Sequence, residues 1–415
     1  MFWSRFAPTL GAALIATCTA FAGESAISTQ SSEQDQVLPV SEGENLPKTP
    51  SSSQALGTLE TPATHALVME ANTGTVLMEK NANQPMYPSS MTKIMTVYYA
   101  LAQVKQGARK LTETFVISEN AYKTEGSRMF AELGEHVSIE NLLKGAIIQS
   151  GNDACVALAE GFHANERIFA EKMTQMAHDM GAKDTCFINS SGLPDPQHVT
   201  TPHDLAIISK RLIQDFPEEY KLFAQTEFTH NNIKQGNRNP LLYKNMGADG
   251  IKTGHTEKAG YGMVASVLQG DRRIIVVVNG LNSMNERSTE LQRLINWAIK
   301  EYDSVTIANA GQHVDHVDVA GGVEDTVSLV VKNPIYITLP RNHKSQVSAH
   351  LVYKKPLLAP IDPQVSAAKL ILKVPGKADE AFDLYPEKAI GTAGFFKRIK
   401  STFGRIIYGS NVGKT

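Results

Sequence analysis

Pro88-Ser89-Ser90-Met91-Thr92-Lys93-Ile94-Met95-Thr96 is the stretch from which the fold can be read outward. From Met91 to Val104 the apolar residues recur at helical spacing, which predicts a helix starting near Ser90. Upstream, two short β-prone runs, 65–69 and 75–78, flank the turn Asn72-Thr73-Gly74 and predict a hairpin. Downstream, 261–267 and 273–279 predict adjacent strands around Gln269-Gly270-Asp271, and 291–300 predicts a closing helix. Between these ends, 139–158 is a long apolar stretch with small residues in its middle, read as a buried helix pair. An amphipathic helix is expected over 166–180, ended by Gly181. Helices in the middle, flanked by strands from both ends, predict one layered α+β or α/β domain over residues 61–302.

After Tyr302 the texture changes. Residues 305–374 alternate apolar and polar positions with Gly and Pro punctuation, which predicts a small all-β domain over about 303–390. Residues 23–60 are rich in Ser, Glu, Gln and Pro, the composition of a disordered linker. The chain opens with a charged residue, Arg5, then a weakly apolar run closing on Ala20-Phe21-Ala22; residues 1–22 read as a secretory signal peptide. In the tail, 391–415, Phe395, Phe396, Ile399, Phe403, Ile406 and Ile407 share one helical face, beside Lys397, Arg398, Lys400 and Arg405 and no acid. Fourteen residues at ~1.5 Å each reach about 21 Å, short of a ~30 Å hydrocarbon core. A basic amphipathic helix lying in a membrane surface is therefore expected.

The 415 residues carry a net charge of −2, which argues against nucleic acid as the main ligand. Three cysteines exclude a disulfide-built scaffold. Once the signal is removed, Cys155 and Cys186 remain, either paired or as buried thiols. His313-Val314-Asp315-His316-Val317-Asp318 offers metal-binding side chains, but residues 313 and 316 of a strand point to opposite faces, so no metal site is expected there.

Three motifs carry chemistry. In Ser90-Met91-Thr92-Lys93, positions i and i+3 of a helix are neighbours, so the Lys93 amine can reach the Ser90 hydroxyl. A serine needs a base to become a nucleophile, and lysine serves only when burial or a neighbouring cation lowers its pKa. Ser366-Ala367-Ala368-Lys369 repeats the pattern in the β region, where no chemistry is expected, so this motif alone decides little. Ser150-Gly151-Asn152 is a polar triplet between apolar stretches, costly unless its groups are hydrogen-bonded or face a cleft. Lys252-Thr253-Gly254-His255 precedes a predicted strand; a glycine on an edge strand admits a second backbone, and Lys252 and Thr253 suit an anionic group.

In this order the three motifs form the combination of β-lactamases and penicillin-binding proteins. With Ile148-Gln149-Ser150-Gly151-Asn152-Asp153-Ala154 and Asp249-Gly250-Ile251-Lys252-Thr253-Gly254-His255-Thr256, the chain resembles the serine D-alanyl-D-alanine carboxypeptidases, the low-molecular-mass penicillin-binding proteins, over about residues 61–400. The resemblance implies an α+β catalytic domain of the β-lactamase/transpeptidase kind, with helices on an antiparallel sheet, followed by the all-β domain. It implies attack by Ser90 on the bond between the last two D-alanines of a peptidoglycan stem peptide, with Lys93 as base. Backbone N–H groups of Ser90 and His255 would form the oxyanion hole. Ser150 and Lys252 would relay the proton to the leaving amine, Asn152 would orient Lys93 and the substrate amide, Thr253 and Arg287 would bind the terminal carboxylate, and Gly254 would line the substrate. It also implies acylation by β-lactams, a place on the periplasmic face of an inner membrane, and no metal or organic cofactor. Against a class A β-lactamase stand the added β domain, the basic tail and the lack of an obvious Glu-containing deacylation loop.

Overall fold

A computed structural model describes residues 55–374 and 378–394. The expected signal peptide, most of the expected linker and the basic tail from Phe395 lie outside the described residues. In chain order the catalytic region contains β1 (His65–Glu70), β2 (Val76–Lys80), α1 (Lys93–Lys105), β3 (Thr114–Val116), α2 (Glu119–Lys123), β4 (His136–Ser138), α3 (Ile139–Lys144), α4 (Asn152–Phe162), α5 (Glu166–Asp179) and α6 (Pro202–Asp215). It continues with β5 (Glu227–His230), β6 (Ile233–Gly236), β7 (Ala248–Thr256), β8 (Gly260–Gln269), β9 (Arg272–Leu281) and α7 (Met284–Glu301).

Five strands make one antiparallel sheet in the order β2-β1-β9-β8-β7, which leaves β7 at an edge. Both faces of the sheet are buried, because alternate residues enter two different cores. Leu67, Met69, Val264, Ile275 and Val277 pack with the helical middle, through residues such as Ile94, Leu142, Phe169 and Leu205. Ala66, Val68, Met263, Ala265, Ile274, Val276 and Val278 pack under α7, against Leu291, Leu294, Ile295 and Ala298. A sheet covered on both sides needs no polar face, which is why 274–278 reads as an unbroken apolar run and 263–267 departs from one only at the buried Ser266.

The hairpin β1–β2, the pair β8–β9, α5 and the buried helices α3 and α4 stand where the sequence placed them; Gly181, with φ 102, follows α5. Two expectations shift. Helix α7 begins at Met284 rather than near 291, because Ser283 accepts from Glu286 N while Glu286 accepts from Asn282 N, a reciprocal cap. Order begins before Thr61: Leu56 N and Gly57 N donate to Val76 O and Leu77 O, extending the sheet edge.

The second domain follows α7 without a linker. Strand β10 (Tyr302–Ala308) pairs with β13 (Ile335–Pro340); β11 (His313–Ala320), β12 (Thr326–Val330), β14 (Ser348–Val352), β15 (Leu357–Leu358), β16 (Ala368–Lys373) and β17 (Glu380–Pro386) form a six-stranded sheet ordered β14-β16-β17-β12-β11-β15. Their alternate residues, among them Val317, Val327, Leu329, Leu370, Leu372 and Leu384, close a separate core. This domain extends past the expected boundary at 390: Val323 N donates to Gly391 O and Ala393 N to Gly321 O. Ser366 and Lys369 both bond Asp383, an exposed structural role for the second Ser-x-x-Lys. Among the described residues no group of three or more His, Cys, Asp or Glu could hold a metal ion; His316 bonds Ser328, and His313 stands 3.5 Å from Glu387.

Candidate active site

Ser90 lies in a 3-10 turn, Ser89–Thr92, that feeds directly into α1. Ser89 has φ 49, a left-handed backbone unusual for a residue with a side chain. Lys93 is the first residue of α1 and is 1% exposed. Its Nζ lies 2.9 Å from Ser90 Oγ, 2.8 Å from Asn152 Oδ1 and 2.6 Å from the Ser191 carbonyl. Burial pushes its pKa down to about 8, with Arg238 adding to the depression and Cys155, Asp153 and Glu166 opposing it. A neutral amine beside a serine hydroxyl is thus accessible near neutral pH.

Asn152 opens α4, after a wide π turn over Gly145–Gln149 and a left-handed Ser150, φ 59. Its amide donates to Glu125 O at 2.7 Å, and its backbone N–H to Ser127 O at 2.6 Å. The residue behind it, Asp153, is fully buried. Its carboxylate accepts from the backbone N–H groups of Met129, Phe130, Ala131 and Ala154. Asp153 therefore pins the 125–131 segment that in turn holds Asn152. Ser150 is buried, yet its hydroxyl has no hydrogen-bond partner among the described residues, so the structure does not join it to Lys252 or Lys93.

Edge strand β7 carries Lys252, Thr253, Gly254 and His255, and among the described residues no other strand covers its outer edge. Gly254 is required here: a Cβ would come within 2.9 Å of Pro88 O and 3.2 Å of Ser89 Cβ, so any side chain would push the Ser90 turn off the strand. Lys252 is buried, and its Nζ donates to Thr253 O at 3.2 Å. Its pKa falls well below the ordinary lysine value, first through burial and then through Lys93, Arg238 and Arg287. Thr253 is buried and His255 exposed, the latter stacked on Tyr261 with ring centroids 3.9 Å apart. Arg287, from α7, reaches this strand and its neighbour β8: Nη1 is 3.4 Å from Gly254 O and 3.3 Å from Gly262 O, while its buried Nε has no partner among the described residues. Of the four arginines in this region, Arg272 bonds Glu70, Arg273 bonds Asp249 and Arg293 bonds Glu290. Arg287 is the one whose guanidinium reaches the Lys252–His255 stretch of β7, at Gly254 O.

Cys155 is a buried thiol whose pKa is pushed up to about 12 by burial; it is not joined to Cys186 by a disulfide. Three neighbours of the site had no signal in the motifs: the Ser191 carbonyl, which is a backbone group; His198, bonded to Thr92; and Arg238, whose charge acts on both lysines. A buried histidine in a Pro-rich loop and an arginine before a 3-10 turn look like ordinary loop residues in a single sequence.

Helices on both faces of an antiparallel sheet, with a serine–lysine pair opposite a Lys-Thr-Gly edge strand, define the class of penicillin-binding serine hydrolases. The comparisons with known proteins narrow this. Residues 49–283 match the family model described as D-alanyl-D-alanine carboxypeptidase, and residues 302–391 that of the penicillin-binding protein 5 C-terminal domain. The chain belongs to the D-alanyl-D-alanine carboxypeptidase family of serine-type hydrolases. It is 36% identical to D-alanyl-D-alanine carboxypeptidase DacA of Haemophilus influenzae, over 80% of this chain and 86% of the relative. The crystal structure of penicillin binding protein 5 from Haemophilus influenzae superposes with a TM-score of 0.76 at 35% identity, over 80% of this chain and 98% of that one. Penicillin-binding protein D2 from Listeria monocytogenes, solved in its ampicillin-bound form, has a TM-score of 0.51 at 26% identity, over 57% of this chain and 97% of that one.

Proposed function

We propose that this chain removes the terminal D-alanine from peptidoglycan stem peptides through an acyl-enzyme on Ser90, and that β-lactams acylate the same hydroxyl. The observation that carries this reading is the buried Lys93 amine 2.9 Å from Ser90 Oγ, with its pKa lowered to about 8. Lys93 takes the hydroxyl proton as Ser90 Oγ bonds to the carbonyl carbon of the penultimate D-alanine. Backbone N–H groups of Ser90 and His255 receive the developing oxyanion, where such donors contribute most. Asn152 orients Lys93. Lys252, with Ser150, passes a proton to the leaving D-alanine amine. Thr253, Gly254 and Arg287 bind the terminal carboxylate, an anion well matched to the cation on this side of β7. Water then attacks the ester carbonyl, and Ser90 regains its proton.

The same reading places the enzyme outside the cytoplasm: residues 1–22 direct export, 23–54 act as a spacer, and the basic face of 395–408 binds the periplasmic surface of an inner membrane. No helix among the described residues is long and apolar enough to cross a membrane. The test is D-alanine release from a peptide ending in D-Ala-D-Ala, by the chain without residues 1–22 and by Ser90→Ala. Release by the first only supports the reading; equal release by both, or by neither, overturns it.

A further inference from the structure

Lys93 has three acceptors around its amine: Ser90 Oγ, Asn152 Oδ1 and Ser191 O. A neutral lysine has two N–H bonds and one lone pair. The amide oxygen of Asn152 and the Ser191 carbonyl can only accept, so when they take both N–H bonds the lone pair is left facing the Ser90 hydroxyl. The direction of the base is therefore set partly by a main-chain carbonyl in a segment without regular structure, and what holds that segment matters.

Several bonds hold it. Asn189 Oδ1 accepts from the N–H groups of Ser191, Gly192 and Leu193. Ser190 N and Oγ both donate to Glu166 Oε1, at 2.9 and 2.5 Å, and Ser190 O accepts from Thr96 Oγ1. Gly192, with φ 85, lies where a Cβ would fall on Ser89 O, so this segment and the Ser90 turn touch. One side chain bridges the two. His198, 2% exposed, accepts the Ile188 N–H at Nδ1, 3.1 Å, and its Nε2 is 2.8 Å from Thr92 Oγ1. Since Nδ1 accepts, the ring proton is on Nε2 and is donated to Thr92, the residue immediately before Lys93. Burial pushes the His198 pKa down to about 4, with Asp195 opposing and Lys93 adding, so the ring remains neutral.

We propose that His198 is a positioning residue for the chemistry at Ser90: by bridging Ile188 and Thr92 it holds the Ser191 carbonyl at Lys93, so that the amine lone pair faces Ser90. This rests on Ser90 and Lys93 being nucleophile and base.

The experiment is the time course of benzylpenicillin acylation by the full chain, resolved into the dissociation constant of the initial complex and the first-order acylation constant. Thr92→Val and His198→Asn each break the bridge to Thr92; Thr92→Ser keeps it. The expected result is an acylation constant roughly tenfold lower in Thr92→Val and His198→Asn, since small misplacements of reacting groups cost rate in this range. The initial complex stays within about twofold, and Thr92→Ser within about twofold of the parent. The double variant is no slower than the slower single one, because both changes remove one interaction. Acylation of Thr92→Val at the parent rate, Thr92→Ser as slow as Thr92→Val, or a loss confined to the initial complex would each overturn the proposal. Where His198→Asn does not fold, the Thr92 pair decides alone. A parent chain that is never acylated would refute the reading of Ser90, and the brace with it.

Discussion

Asp153→Asn is nearly isosteric and tests how the site is held together. The carboxylate is completely buried, with Oδ1 accepting from Met129 N and Ala154 N at 2.9 Å each. Oδ2 accepts from Phe130 N at 3.0 Å and Ala131 N at 3.4 Å. An asparagine has one oxygen, so whichever way the amide is turned its NH2 faces backbone donors. Turning the NH2 toward Phe130 and Ala131 sacrifices the longer pair. Hydrogen bonds to a charged group contribute about 1.5–3 kcal/mol each, and a buried donor left alone carries a further desolvation cost. Losing one good bond and one long one gives an expected destabilisation of about 2–4 kcal/mol. The measurement is urea unfolding followed by circular dichroism, comparing midpoints at unchanged slope. The released 125–131 segment also loosens the acceptors of Asn152, so penicillin acylation should slow in the folded variant. An Asp153→Asn chain with the parent's midpoint and acylation rate would refute this account of the pin.

Other outcomes follow from the same geometry. The rate of penicillin acylation should rise between about pH 6 and 9 with a midpoint near 8, because Lys93 accepts a proton only when neutral and its pKa is lowered to about 8; a flat profile across that range would count against Lys93 as base. Gly254→Val should fold but lose at least about tenfold in acylation rate, since its Cβ already meets Pro88 O at 2.9 Å and the Ser90 turn must give way; stopped-flow acylation checks this. His198 binds a proton in the unfolded chain below its ordinary 6.5 but in the folded chain only near 4. Stability should therefore fall as pH drops through that window, by up to about 3 kcal/mol from this group, and His198→Asn should show a flatter dependence in acid unfolding. Deleting residues 395–415 should release the protein from anionic vesicles without changing penicillin acylation, and unchanged co-sedimentation would argue against a membrane-binding tail.

Much of the fold was legible because its elements announce themselves locally. The hairpin around Asn72-Thr73-Gly74 and the strands around Gln269-Gly270-Asp271 follow from turn chemistry and β-prone runs. The early start of α7 was also written in the sequence, as Ser283 followed three residues later by Glu286, but that signal is short and the apolar period becomes strong only near Leu291. The sheet order, with the β1–β2 hairpin against β9 and β7 at the edge, joins residues some 200 positions apart and has no local signature.

The site divides in the same way. Ser90 and Lys93 are three residues apart where the apolar period predicts a helix, so spacing and helical pattern together predict their contact, which the same spacing at Ser366 and Lys369, entering strand β16, does not make. Asn152 meets Lys93 only because α4 packs against α1, and it was the recurring three-motif pattern, not periodicity, that singled it out. Ser191 contributes a carbonyl, a group every residue has, so its identity could not mark it. His198 and Arg238 act on Lys93 from loops, where a lone histidine or arginine is usually solvated. Asp153 stood inside a quoted stretch, but its four backbone donors come mainly from a segment more than twenty residues away.

The central claim is that the Ser90 hydroxyl becomes an acyl ester. The most direct test is to incubate the chain with benzylpenicillin, digest it and locate the added mass. One penicilloyl group is expected on the peptide containing Ser90, and none in Ser90→Ala. An adduct elsewhere, or an equal adduct in Ser90→Ala, would contradict it.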